Sequence, residues 1–228
     1  MAEFSIELND DNTVKRIMRD GVQHDGSATL EQLFSIVTIY FQLANSNLNQ
    51  MRTAETAKDK RGFGVQAFLM SLTGLEAFAN TYFHLRAQER ERPDLERQVE
   101  QNRSTLAQKF RELIALLDDP QMREQEALLV RIFSFSSLRN ELMHPRWAPS
   151  SVNLVTGGPI IIHGLVENMQ AQFEEYRFCH EALFWCLLVV ARIAQSRGNS
   201  DVSGFMFHWT GNYGLTLPVI LRELHLQD

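Results

Sequence analysis

Apolar residues recur at three- and four-residue intervals over most of this chain, and that spacing predicts a protein built from helices. The first 28 residues break the rule. They read as irregular, with Phe4, Ile6 and Leu8 alternating as a short edge strand and Gly21, Gly26 and Ser27 punctuating the rest. Thr29-Leu30-Glu31-Gln32 then has the form of a capping box, and Leu30, Leu33, Val37, Tyr40, Ala44, Leu48 and Met51 share one helical face. After a basic break at residues 58–61, a second striped segment over residues 62–90 carries Phe68, Leu72, Leu75, Ala79, Tyr82 and Phe83. Glu76 lies within it, and a carboxylate among apolar neighbours calls for a cationic partner.

Residues 89–103 are dense in Arg and Glu, with Pro93-Asp94 starting a solvated helical turn. Ser104 can cap the next helix, whose stripe of Leu106, Phe110, Leu113, Ile114 and Leu117 ends at Asp118-Asp119-Pro120. A further helix over residues 121–143 turns Leu128, Leu129, Ile132, Phe135, Leu138 and Leu142 inward, and Pro145 stops it at His144. Residues 152–155 and 160–163 flank Thr156-Gly157-Gly158-Pro159 and predict a small hairpin inserted between helices. A long helix over residues 166–195 follows. The aromatic tail (Phe205, Phe207, Trp209, Tyr213) is too apolar to hang free and is expected to pack on the body, ending in a short helix at residues 219–224.

Composition narrows the class. With 228 residues, 44% of them hydrophobic, the chain can fill one sizeable core. The expectation is a single domain over residues 1–228, comprising an N-terminal extension and helix (1–61), a bundle core (62–195) and a packed tail (196–228). A net charge of −6 argues against coating nucleic acid through a whole-body field, so any RNA contact must be local. Cys179 and Cys186 stand seven residues apart on one helix, about 10 Å along its axis, too far for a disulfide. No cysteine pair has metal-ligand spacing and the seven histidines are scattered, so neither a metal nor a cofactor is expected. The N-terminus lacks the succession of a signal peptide, and the apolar run at residues 182–191 is half the length of a bilayer crossing. Those features predict a cytoplasmic protein without a membrane partner.

The chemistry concentrates at Arg139-Asn140-Glu141-Leu142-Met143-His144-Pro145. An imidazole moves protons near neutral pH, and a planar guanidinium holds a phosphate through paired hydrogen bonds. Asn140 and His144, four residues apart, fall on one helix face, while Arg139 stands about 100° round from Asn140. A plainer account stands beside this one: Arg near a helix C-terminus answers the dipole, Asn near an end caps, and His before Pro stops a helix. Arg146 and Trp147, just beyond, could extend an RNA-contacting surface or anchor a loop. His84, His163, His180, His208 and His225 have no partner at useful spacing.

The segment from Leu138 to Pro145, preceded about sixty residues earlier by Ser71-Leu72-Thr73-Gly74-Leu75-Glu76-Ala77-Phe78-Ala79-Asn80, resembles the HEPN superfamily. The signature of that family is an Arg followed after four to six residues by a His. The gap here is four, and Asn140 is a polar residue usual after the Arg in active members. The resemblance covers roughly residues 62–195, and only Arg139, Asn140 and His144 match the motif. It implies an all-α, up-and-down helical bundle, here with a small β-hairpin insertion, that commonly dimerises and joins two motifs in one cleft. It further implies a metal-independent endoribonuclease of toxin–antitoxin or antiphage-defence type. Its partners would be RNA, a second copy of the chain, and an antitoxin or other regulatory protein. In that scheme Arg139, Asn140 and His144 are catalytic, and Glu76 supports them by pairing with Arg139. The alternatives are a non-catalytic HEPN-like module that binds a nucleotide, RNA or protein, and a structural bundle in which the motif is coincidence.

Overall fold

The computed structural model describes residues 4–9, 14–24, 35–102, 104–116, 126–143, 152–154, 158–160, 169–196 and 202–211. These divide into two compact units, residues 1–32 and 33–228. The described part is mostly helical, with seven α-helices and two small sheets.

The first unit is an antiparallel meander of β1 (Phe4–Leu8), β2 (Val14–Arg19) and β3 (Val22–Gln23). Ile6 pairs with Ile17 and Phe4 with Arg19. The strand expected on Phe4, Ile6 and Leu8 is present, but residues 14–23, expected to be irregular, form two further strands and their turn, while Gly26 and Ser27 lie outside the described residues. Asp20 and Gly21 both have positive φ (52° and 80°), the two-residue turn that joins twisted strands tightly, and this brings Arg19 back opposite Val22. Glu7 bonds Arg16 across the ladder at 2.7 Å, which holds its carboxyl below the usual range.

In the second unit, α1 (Ser35–Thr53) packs along α2 (Ala57–Glu89), the 33-residue helix against which most other elements lie. On α1 the buried stripe is Val37, Phe41, Ala44, Leu48 and Met51; Phe41 takes the place expected of Tyr40. Thr29 to Gln32 lie outside the described residues. The basic break expected at residues 58–61 is instead the first turn of α2: Thr56 Oγ accepts from the Asp59 N–H at 3.0 Å, so capping starts the helix before its charges.

Beyond α2 come α3 (Pro93–Gln101) and α4 (Leu106–Leu116), as their start signals predict. Arg92 grips Asp94 with two hydrogen bonds at the start of α3 and pulls its carboxyl down to about 2. Then follow α5 (Glu126–Met143), a two-stranded hairpin of β4 (Val152–Leu154) and β5 (Gly158–Ile160), a 3-10 turn (Met169–Glu174), α6 (Tyr176–Ser196) and α7 (Val202–Thr210). The hairpin lies where expected, but its second strand opens at Gly158 and pairs Pro159 with Asn153. A two-stranded sheet has only edges, where a proline is tolerated. The long helix expected from residue 166 begins at Tyr176. The tail packs on the body through α7, and the helix expected at residues 219–224 lies outside the described residues.

Two aromatic clusters hold this unit together. Phe68 of α2 meets Phe173 of the 3-10 turn (ring centroids 5.2 Å), Phe178 of α6 (5.8 Å) and Phe135 of α5 (6.0 Å). Phe78 and Tyr82 of α2 meet Trp209 of α7 at 5.0 and 6.0 Å, and the Thr38 hydroxyl donates to the Trp209 carbonyl at 3.3 Å. By length and composition α2 and α6 could each cross a membrane, yet half or more of each apolar window is buried inside this fold. Cys179 and Cys186 are free and buried; burial pushes the Cys179 thiol up to about 12 and raises that of Cys186 as well.

Candidate functional site

Helical geometry sorts the motif residues on α5. Leu128, Ile132 and Phe135 face the core, and Arg139 continues that inward row, one helical turn beyond Phe135. Its guanidinium therefore enters the bundle, where Nη1 donates to Glu76 Oε2 of α2 at 2.7 Å. The pairing expected between these residues is present, across two helices that aromatic packing already holds together. Their side chains are 20% and 36% exposed, so the pair is half-buried but wet on one side. Among the described residues Nη1 is the only guanidinium nitrogen with a partner, which leaves Nε–H and Nη2 free to donate.

Asn140 stands about 100° further round and is exposed. It does not meet Arg139's partner. It extends an outer strip whose earlier members are Val130 and Phe133, 54% and 52% exposed. Residues 130, 133, 137 and 140 repeat at three- and four-residue steps, so this strip is straight. His144, Pro145, Arg146 and Trp147 lie outside the described residues.

Glu76 also borders a cleft. The cleft, about 620 Å³, is roofed by α3 and α4 and lined by Asn80, Thr81, His84, Glu100 and Lys109 among others. Lys109 is a residue that sequence patterning missed: it is 4% exposed, and its ammonium donates to Asn80 Oδ1 at 2.7 Å. The one available signal was its position between Leu106 and Leu113 on the inner stripe of α4. His84, assigned no role from the sequence, lines the same cleft and lies 3.1 Å from the Gln88 side chain. The wall at Asn102 and Ser104 is braced by Glu112, which accepts from Asn102 at 2.9 Å, Ser104 at 3.0 Å and Gln108 at 2.9 Å. Those bonds hold the Glu112 carboxyl below its usual range.

Comparisons with protein-family models, with curated proteins and with solved structures each find no match.

Proposed function

We propose that this chain is a metal-independent endoribonuclease of toxin or antiphage-defence type, HEPN-like in its motif and acting as a homodimer. The observation that carries the reading is the guanidinium of Arg139, pinned by Glu76 at one nitrogen with two others left to grip a phosphate. In the proposed reaction His144 removes the proton of a ribose 2'-hydroxyl, whose oxygen then bonds to phosphorus. The bond to the 5'-oxygen breaks, and that oxygen takes a proton from the partner's His144. Arg139 stabilises the charge gathering on the phosphate, and Asn140 orients the ring or the phosphate.

The second reading, a non-catalytic module that binds RNA, a nucleotide or a protein, is favoured by a different observation: Arg139 and Asn140 leave α5 on different faces. One experiment separates the two. RNA cleavage is measured in the presence of a chelator for the wild type, Arg139→Ala and His144→Ala. The nuclease reading expects losses of about a hundredfold or more in both variants at unchanged helical content. Full cleavage by His144→Ala removes that reading, and RNA binding without cleavage by the wild type establishes the module.

A further inference from the structure

The first two turns of α1 expose an aliphatic row. Ile36, Ile39 and Leu43 recur at three- and four-residue steps and are 43%, 43% and 44% exposed. The row is apolar only there, because Ser46 and Gln50 continue the same exposed face. Its exposed neighbours Gln42, Ser46 and Asn49 carry no charge, so the face suits an apolar occupant with no electrostatic match to make. Three side chains, each less than half exposed, also fall far short of the roughly 800 Å² per partner that a stable protein–protein contact buries. A short segment of the same chain fits that size better than a second molecule.

The end of α7 delivers such a segment to this helix. Gly211 is buried against α1 so closely that a β-carbon on it would lie 2.9 Å from both Thr38 Cγ2 and Gln42 Nε2. Its φ of 76° and the bond from its N–H to the Phe207 carbonyl at 3.0 Å end α7 in a left-handed turn. Ile39 and Leu43 follow Thr38 and Gln42 by one residue each, about 100° further round α1. Residues 212–216 can span up to about 17 Å, more than the arc of roughly 10 Å that this angle makes at the outer radius of a helix. Beyond them Leu217, Ile220, Leu221 and Leu224 recur at three- and four-residue steps, a stripe of the same two-turn length as the row on α1, and Pro218 suits a first helical turn. A helix so short is not stable alone in water and needs a face to pack on. The tether holds this one near α1 at an effective concentration in the millimolar range, ahead of any second copy. We propose that residues 217–224 form an amphipathic helix that docks on the Ile36, Ile39 and Leu43 row of their own chain. The docking closes α1 to a second copy, and it stands whether or not Arg139 and His144 cleave RNA.

Arg222 is the one trypsin site in residues 212–228, which makes cleavage after it a gauge of docking in the full chain. Ile39→Asp, on the α1 side, should speed that cleavage by about tenfold or more at unchanged near-ultraviolet circular dichroism, because proteolysis follows the population of the open form. Leu217→Asp, on the other side of the contact and away from the cut, should do the same without touching α1. Phe133→Asp on α5 should leave the rate as it is. A second measurement joins the middle of each stripe: Ile39→Cys with Leu221→Cys, treated with a short bismaleimide, should give an adduct with the mass of one chain, while Cys179 and Cys186 are shielded by burial. Phe133→Cys with Leu221→Cys should give no such one-chain adduct. Cleavage rates indifferent to both Ile39→Asp and Leu217→Asp, an equal rise in Phe133→Asp, or no adduct from the first pair would overturn the proposal. An adduct with the mass of two chains would also overturn it, by assigning the α1 row to a second copy.

Discussion

Arg139 continues a helix row whose earlier members are Leu128, Ile132 and Phe135, and four-fifths of its side chain is covered. A guanidinium there is tolerable because Glu76 stands 2.7 Å away and water still reaches both partners. That intermediate setting sets the size of the coupling: a fully exposed pair contributes roughly 0–1 kcal/mol, and a sealed pair is answered by its own desolvation. A double-mutant cycle of Glu76→Gln and Arg139→Met in urea should give a coupling of about 1 kcal/mol. Additivity of the two changes would mean that Glu76 does not hold the guanidinium, and the phosphate-gripping geometry would lose its support. The pair was readable in the sequence from one lone carboxylate on an apolar face and one arginine near the end of another. The buried Lys109 was not, because a lysine on an inner stripe looks like a solvated neighbour until Asn80 is found opposite it.

Elements obeyed the sequence where a side-chain period or a cap specified them. The stripe of α2 is buried as patterned, as are Leu106, Phe110, Leu113 and Ile114 of α4 and Leu128, Leu129, Ile132 and Phe135 of α5; Leu138 and Leu142 are half-buried, Leu117 lies outside the described residues, and Pro93 and Ser104 stand at or just before the helix starts they signal. The departures have local causes. The Asp20-Gly21 turn makes a hairpin from a stretch whose strands are too short and charged to show a period. The helix α7 hides in a run of aromatics and glycine, because burial against Phe78 and Tyr82 stabilises it more than intrinsic propensity does. The late start of α6 depends on one crossing that no pattern announces. There α2 passes the 3-10 turn so closely that a β-carbon at Gly64 would overlap the Phe173 carbonyl oxygen, with Cys179 Sγ 3.0 Å away. Arg61 clamps the same place by donating from Nε to Glu174 at 2.9 Å. Gly64→Ala should therefore destabilise by about 3 kcal/mol or more, measured by chemical denaturation, despite the helix propensity that alanine adds. A neutral or stabilising result would show that this crossing relaxes freely. Gly62→Ala, two residues earlier with open space around its site, is the control expected to be neutral or better.

At the scale of the whole molecule, the described residues expose apolar side chains in straight rows. Val130 and Phe133 stand out from α5 in line with Asn140, and Ile36, Ile39 and Leu43 form a second exposed row on α1. If two copies meet to complete the proposed RNA site, the α5 strip is the one that must be covered, since only it carries a motif residue to the contact. An antiparallel meeting of two α5 helices about a two-fold axis at their ends would put the two Asn140 side chains near each other and bury Phe133 of both copies. Equilibrium sedimentation should then give the mass of two chains for the wild type and of one chain for Phe133→Asp, with Ile39→Asp on α1 leaving the dimer intact. RNA cleavage should fall with the dimer in Phe133→Asp and recover in part as protein concentration rises, because the substitution weakens assembly and spares each copy's own Arg139 and Asn140. Dissociation by Ile39→Asp instead would move the contact to α1. A wild type that sediments as one chain and still cleaves RNA would require both proton transfers from a single His144, and the two-copy reaction would fall.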